Sequence, residues 1–259
     1  MNFPDAISMT ITREERTVDA FLGGLVTLVQ PKKGHRAGLD AALLQSLVPA
    51  SAVGRAIDLG AGVGTVALSV AARAKAISAV GIERDPDLVA CGVEALSLPQ
   101  NAALAKRVQI IEGDASDLAA IAPVDRKADW VLMNPPFAPE GPSSPDVRRR
   151  AAHQSTPSLL PAWVESAKAL LVPGGTLCLV HRADALAEVI SALSAHFGGL
   201  RVWPVHPSEA MPASRLLATG RRGSRAPLTL MPGLVLHEPN GAWTARADAI
   251  LRGRAELTP

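Results

Sequence analysis

Cysteine is scarce. Cys91 and Cys178 are the two in 259 residues, far apart and without metal-type spacing, so no thiolate metal site is expected. Both stand among apolar neighbours and read as buried thiols. Tyrosine is missing altogether. No apolar run approaches the roughly 20 residues that span a bilayer. Acidic Asp5, Glu14 and Glu15 around short apolar pieces do not follow a signal-peptide plan. No membrane partner and a cytoplasmic location are therefore expected. Internal repeats and long linkers are also lacking, which leads us to expect one domain over residues 1–259, with 1–50 as an N-terminal cap or extension. Net charge is only +2. It is unevenly placed: from Arg201 onward eight arginines face four acids, whereas the first 200 residues carry 18 basic against 20 acidic side chains. A weakly basic tail on a near-neutral body permits a polyanionic partner without demanding one.

With 48% hydrophobic residues, the chain can bury a substantial core. Residues 1–16 show no clear periodicity and read as a loose arm. Residues 19–24 suggest a short helical turn and 25–30 a strand. A basic, glycine-containing loop, 31–38, then leads into a helix over 41–48 stopped by Pro49. Strands over 55–59, 79–82, 108–112, 130–133 and 176–180 alternate with helices over 65–74, 88–98, 158–171 and 183–197, the α/β alternation of a parallel sheet. Two more strands are expected at 200–204 and 215–220, with residues 221–225 separating the latter from 228–236.

The strongest local signal follows the strand 55–59. Gly60-Ala61-Gly62-Val63-Gly64 is a loop in which glycines permit a sharp turn, backbone contact with a ligand and close helix packing. Asp58 precedes it, and Glu83 ends the next strand about twenty residues on, where a carboxylate can bind a ribose diol. The last glycine of the dinucleotide fingerprint is missing, since Thr65 and Val66 follow Gly64. An acidic Asp58 is awkward beside a pyrophosphate and suits a cationic ammonium or sulfonium group. S-adenosylmethionine (SAM) is thus favoured over a dinucleotide, with a plain strand-to-helix turn as the remaining reading. Asp114, at the end of the strand 108–112, can take an adenine amine beside the small Ala115, or it can cap a helix around 116–121.

Asn134-Pro135-Pro136-Phe137 directly follows the strand 130–133. In open α/β sheets, ligands bind at that end of the strands. A conjugated amine has a poorly available lone pair. If the Asn134 side-chain oxygen and the Pro135 carbonyl accept its hydrogens, the nitrogen becomes more nucleophilic and is aimed, while Phe137 can stack on a planar base. As a bare tetrapeptide, the same residues also fit a Pro-Pro turn. No metal is required. The segment after Phe137 is rich in proline and serine and carries Arg148, Arg149, Arg150 and His153. It reads as a flap whose arginines meet phosphate, or as a solvated loop. Lys32, Lys33, His35 and Arg36 on the first basic loop, and Arg221 and Arg222 near the end, are further RNA-contact candidates.

Taken together, residues 58–64, 81–85, 112–115, 134–137 and 171–177 resemble, in order and spacing, the motifs of class I SAM-dependent methyltransferases with an amino-group acceptor. Residues 30–44 look like those of bacterial adenine-N6 methyltransferases acting on position 37 of a valine tRNA. The resemblance implies a Rossmann-like, doubly wound, seven-stranded, mostly parallel sheet with helices on both faces. It implies SAM held by Gly60, Ala61, Gly62, Gly64, Asp58, Glu83, Arg84, Asp114, Ala115 and Asn134, with Asp40 closing the site from the N-terminal side. Asn134, Pro135, Pro136 and Phe137 would carry the chemistry, and the partner implied by this likeness would be an RNA, a tRNA. Phe137 followed by Ala138 leaves rRNA guanine-N2 and protein glutamine-N5 acceptors as alternatives, and a SAM-binding RNA-interaction protein without turnover as a reading of another class.

Overall fold

A computed structural model describes residues 11–34, 36–117, 127–136 and 159–257. The chain opens with β1 (Arg16–Phe21) and β2 (Val26–Pro31), an antiparallel hairpin in which Arg16 lies opposite Pro31 and Phe21 opposite Val26. This corrects two expectations. Residues 19–21 are strand, with only Leu22–Gly24 forming a 3₁₀ turn, and Arg16 belongs to β1. Residues 1–10 lie outside the described part. The hairpin register is pinned by polar side chains at its open end, where Gln30 and Arg36 both donate to Asp19, at 3.1 and 2.7 Å. No local periodicity announces such a network.

The main body is built from α1 (Leu39–Gln45), β3 (Val53–Leu59), α2 (Thr65–Arg73), β4 (Ala76–Glu83), α3 (Pro86–Leu96), α4 (Ala102–Ala105) and β5 (Val108–Glu112). It continues with β6 (Ala128–Met133), α5 (Leu159–Leu170), β7 (Leu171–Arg182), α6 (Leu186–Ser194), β8 (Phe197–Ser208) and β9 (Arg215–Arg222). Two short strands, β10 (Thr229–Leu230) and β11 (Leu234–His237), precede α7 (Ala245–Leu251). Spatially the strands run β10-β8-β9-β7-β6-β3-β4-β5, with β11 also on β8. All pairings are parallel except those of β9 with β7 and β8.

The expected doubly wound sheet is therefore present as a seven-stranded core, β3 to β9, extended by two short strands beyond β8. Residues 228–236 form these two short strands, separated at Pro232, which has no N–H to give to a ladder; Thr229 pairs with Arg201, and after the break Leu234 pairs with Val205. The helix at Ala245–Leu251 was not foreseen in the sequence. Its start is set by Thr244, whose hydroxyl accepts from Ala247 N–H at 3.2 Å.

Two apolar layers sandwich the sheet. One includes Leu43, Leu44, Leu68, Val70, Leu132, Cys178, Val180 and Leu217, beneath α1, α2 and α7. The other includes Met133, Trp163, Val164, Leu170, Leu179 and Val189, beneath α5 and α6. Both cysteines are buried and free, as the sequence suggests. Burial pushes the Cys178 thiol well above its ordinary value. No single helix among the described residues is long and apolar enough to cross a membrane.

Candidate active site

The strand order reverses between β3 and β6, and the C-terminal ends of those two strands form the crevice where open α/β sheets take ligands. Leu59 is in register with Met133. Gly60 and Asn134, one residue further on each strand, thus emerge side by side, about 4.8 Å apart by strand spacing. This register brings the glycine loop and the NPP segment together from 74 positions apart in the chain.

The loop is held by the strands on either side. Ala61 N–H donates to Ile82 O at 2.9 Å and Gly64 N–H to Ala61 O at 2.8 Å. Glu83 accepts from Gly62 N–H at 2.8 Å through Oε2 and from Asp85 N–H at 2.9 Å through Oε1. One carboxylate therefore fixes both the loop and the entry to α3. Gly60 and Gly62 need glycine for different reasons. Gly60 has φ +67°, and a Cβ there would lie 2.3 Å from Trp163 Cη2 on α5, so the backbone rests directly on an indole. Gly62 has φ +56°, yet a Cβ there would meet no atom within 4 Å. The loop thus presents bare backbone toward open space. Trp163 was missed as a site element in the sequence, although it lies on the apolar face of the expected 158–171 helix.

Asp58 is 3% exposed and its Oδ2 accepts from Ala67 N–H at 3.1 Å, in the first turn of α2. Burial pushes its carboxyl up to about 8; the Ala67 N–H works against that rise and the charge of Glu83 adds to it. A buried carboxyl of this kind gains most from a cation placed beside it. Asp114 lies two residues past the end of β5. Its Oδ1 accepts from Ser116 Oγ at 2.6 Å and Ser116 N–H at 2.8 Å. The Ser116 hydroxyl holds the Asp114 carboxyl below its ordinary value; burial opposes this, while Ser116 N–H and the charge of Arg84 reinforce it. Arg84 is exposed and Ala115 is buried. Bare backbone, a buried carboxyl and two further carboxylates at successive strand ends fit a ligand with a cationic amino-acid end, a diol and an aromatic amine, which is the donor pattern of SAM.

Asn134 is half-buried, and its side-chain amide makes no hydrogen bond to any described residue. Pro135 is buried and Pro136 half-buried. Phe137, His35, His153 and Arg148 to Arg150 lie outside the described residues. Asp40, in the first turn of α1, is engaged by Arg215 of β9, whose Nε donates to its two carboxylate oxygens at 3.1 and 3.2 Å. That partner lies 175 positions away, and no local pattern could have named it.

The basic candidates separate. Lys32 and Lys33 are exposed. Arg36 is tied inward, donating to Pro31 O at 2.8 Å, Thr17 Oγ1 at 3.0 Å and Asp19 at 2.7 Å. Arg221 donates to Gly174 O at 3.3 Å, and Arg222 donates to Leu171 O. Both stand at the far end of β9, Arg221 opposite Thr176 midway along β7 and Arg222 opposite Phe197 at the beginning of β8. That is the sheet edge away from Asn134, so the structure does not bring Arg221 or Arg222 to the crevice. Among the described residues no three His, Cys, Asp or Glu side chains converge as metal ligands.

Fold and site together define a SAM-dependent methyltransferase. The chain belongs to the Methyltransferase small domain family, whose model matches residues 36–205. It is similar to a tRNA1(Val) (adenine(37)-N6)-methyltransferase of Porphyromonas gingivalis, 27% identical over 220 residues, covering 81% of this chain and 84% of that protein. A solved structure from Agrobacterium tumefaciens, described as a predicted O-methyltransferase, is 33% identical with a TM-score of 0.72, covering 85% of this chain and 99% of that one. A 4-amino-L-phenylalanine/4-methylamino-L-phenylalanine methyltransferase of Streptomyces pristinaespiralis is 32% identical over 148 residues, covering 51% of this chain and 45% of that protein.

Proposed function

We propose that the protein methylates the exocyclic amine of a base in RNA, adenine N6 in a tRNA, with SAM as methyl donor. The observation that carries this reading is Asn134: a half-buried amide at the switch-point edge, beside the glycine loop, with no side-chain hydrogen bond to another described residue. A side-chain amide so placed offers an acceptor oxygen and two donors at the ligand edge.

Bound SAM supplies an electrophilic methyl group on a sulfonium sulfur. In our reading the Gly60, Gly62 and Gly64 backbone lines its methionine and ribose end, with Ala61 among them, and ionised Asp58 faces the ammonium group. Glu83 takes the ribose hydroxyls, keeping its two backbone bonds through the remaining lone pairs. Asp114 accepts from the adenine amine, Ala115 leaves room for the ring, and Arg84 lends positive charge nearby. Asp40, held by Arg215, stands at the N-terminal side of the site, within residues 1–50 that we read as a cap on one methyltransferase domain.

On the acceptor side, Asn134 Oδ1 and the Pro135 carbonyl take the two hydrogens of the amine. This raises electron density on nitrogen and turns its lone pair toward the methyl group. Pro136 stiffens the segment, and Phe137 stacks on the base, a contact of about 1–3 kcal/mol in stacking platforms. Transfer would leave the nitrogen with one proton to lose, and the carbonyls of the clamp would guide that proton to water. Positioning and electrostatics do the work.

The P. gingivalis relative, similar across most of both chains, supports tRNA adenine as the acceptor. The name of the S. pristinaespiralis relative points to a second acceptor class, a small aromatic amine, with the same conjugated nitrogen. With tRNA as substrate, our reading of the enzyme is cytoplasmic. Label from methyl-tritiated SAM should enter the tRNA fraction in preference to rRNA, protein and 4-amino-L-phenylalanine. Label confined to the small amine would replace the RNA reading, and label in no fraction would refute catalysis.

A further inference from the structure

At the same sheet edge, one and two strands beyond Asn134, two arginines stand opposite one another. Arg182 ends β7 and Arg215 begins β9, and they are register partners across the antiparallel pair. Directly opposed like charges weaken a sheet, so this placement is a cost within the fold. Two carboxylates offset it, one from the turn directly after β7 and one from the distant α1. Asp184 accepts from Arg182 Nε at 2.9 Å and Nη2 at 2.7 Å, and Asp40 of α1 accepts from Arg215 Nε.

Both arginines point to the Asn134 side of the sheet. Cys178 and Val180 on β7, Leu217 on β9 and Leu132 on β6 all belong to the apolar layer beneath α1. Strand alternation puts Arg182, Arg215 and Asn134 on that same face. Since Met133 is in register with Leu179, strand spacing places the Cα atoms of Arg182 and Arg215 about 8 and 12 Å from that of Asn134. The guanidinium side chains reach outward from there, with Arg182 27% and Arg215 30% exposed.

We propose that Arg182 and Arg215 form a phosphate anchor for the RNA strand that carries the acceptor base, with a backbone phosphate displacing Asp184 from Arg182. This deepens the RNA reading above and rests on it. Planar guanidinium groups match phosphate bidentately, and phosphate contacts set the register of a nucleic acid on its protein. The anchor fixes how far the strand enters the crevice, while Asn134 chooses the amine. It also reassigns the arginine contacts from the far edge, where Arg221 and Arg222 bind backbone carbonyls, to the ligand edge.

The test is binding of a fluorescent RNA hairpin of the valine-tRNA anticodon arm to the full chain over a salt series, with SAM affinity measured in parallel. Arg182→Gln and Arg215→Gln are each expected to weaken RNA binding about tenfold and to lower the slope of log affinity against log salt by about 0.7. Asp184→Asn removes a competitor of phosphate and is expected to tighten binding by about twofold or more, an outcome that a purely structural ion pair would not give. SAM affinity should hold for Arg182→Gln and Asp184→Asn. Wild-type affinity and slope in Arg182→Gln, or weaker binding in Asp184→Asn, would overturn the anchor while leaving the RNA reading standing. Salt-independent or absent binding by the wild-type chain would overturn both.

Discussion

The two halves of the ligand edge are built in opposite ways. From β3 to β5, carboxylates serve backbone N–H groups only a few residues to about twenty away: Asp58 to Ala67, Glu83 to Gly62 and Asp85, Asp114 to Ser116. From β6 to β9, Asn134 makes no side-chain hydrogen bond to another described residue, Asp40 meets Arg215 from a distant segment, and Arg182 meets Asp184 at an exposed turn. The first half is pre-formed to receive one fixed ligand. The second retains unspent polar capacity and an exchangeable ion pair, as a surface for a variable macromolecular acceptor requires.

Mutations should therefore separate the halves. Asn134→Ala is expected to have the largest effect, lowering methyl transfer about 100- to 1,000-fold, as loss of a positioned transition-state contact does. Its SAM affinity, measured by calorimetry, should stay within about threefold. A comparable loss of SAM binding would erase the division between the halves. Glu83→Gln should act the other way. An amide has one acceptor oxygen, so either Gly62 N–H or Asp85 N–H meets an NH₂ group, and SAM affinity should fall about tenfold. Retention of wild-type SAM affinity would refute the role given to Glu83.

Asp58 offers a pH test of the cofactor half. Its folded-state pKa of about 8 lies above the ordinary 3.8. The associated stability is thus fully present below about 3.8 and is lost as pH rises through about 8. Asp58→Asn keeps an acceptor oxygen for Ala67 N–H and removes this loss, so near pH 9 it should melt above the wild type, by about 2–4 °C per kcal/mol recovered. SAM affinity of the wild type should rise with pH up to about 8, because a cation favours the ionised carboxyl. A flat affinity profile would show that the ammonium group does not depend on Asp58. The smallest effect belongs to Arg221→Gln at the far edge, for which transfer should change by less than about twofold.

These contrasts also explain what was readable from the chain. The strands and helices of the body follow from apolar runs punctuated by Gly, Pro and Asp. The cap at Asp85 with Pro86 behind it is fully local, and Asp85 Oδ1 does accept from Asp87 N–H at 2.9 Å. Glycine spacing and strand-end carboxylates are local signals too. The N-terminal hairpin was missed because β1 is held by cross-strand pairing and the Asp19, Gln30 and Arg36 network. Arg36 looked like a free cation for the same reason. Arg221 and Arg222 looked equivalent to any basic pair, since one-dimensional charge patterns do not say at which end of a strand a residue stands. Arg182 and Arg215 gave no signal until antiparallel pairing put them face to face.

The β6 edge, in the function proposed above, clamps a conjugated amine for transfer from SAM. Digestion of in vitro methylated tRNA to nucleosides, followed by mass spectrometry, tests it most directly. N6-methyladenosine is expected as the new product with wild-type protein and is expected to be absent with Asn134→Ala. A methyl group found on a ribose oxygen, on a ring nitrogen or on no nucleoside at all would contradict it.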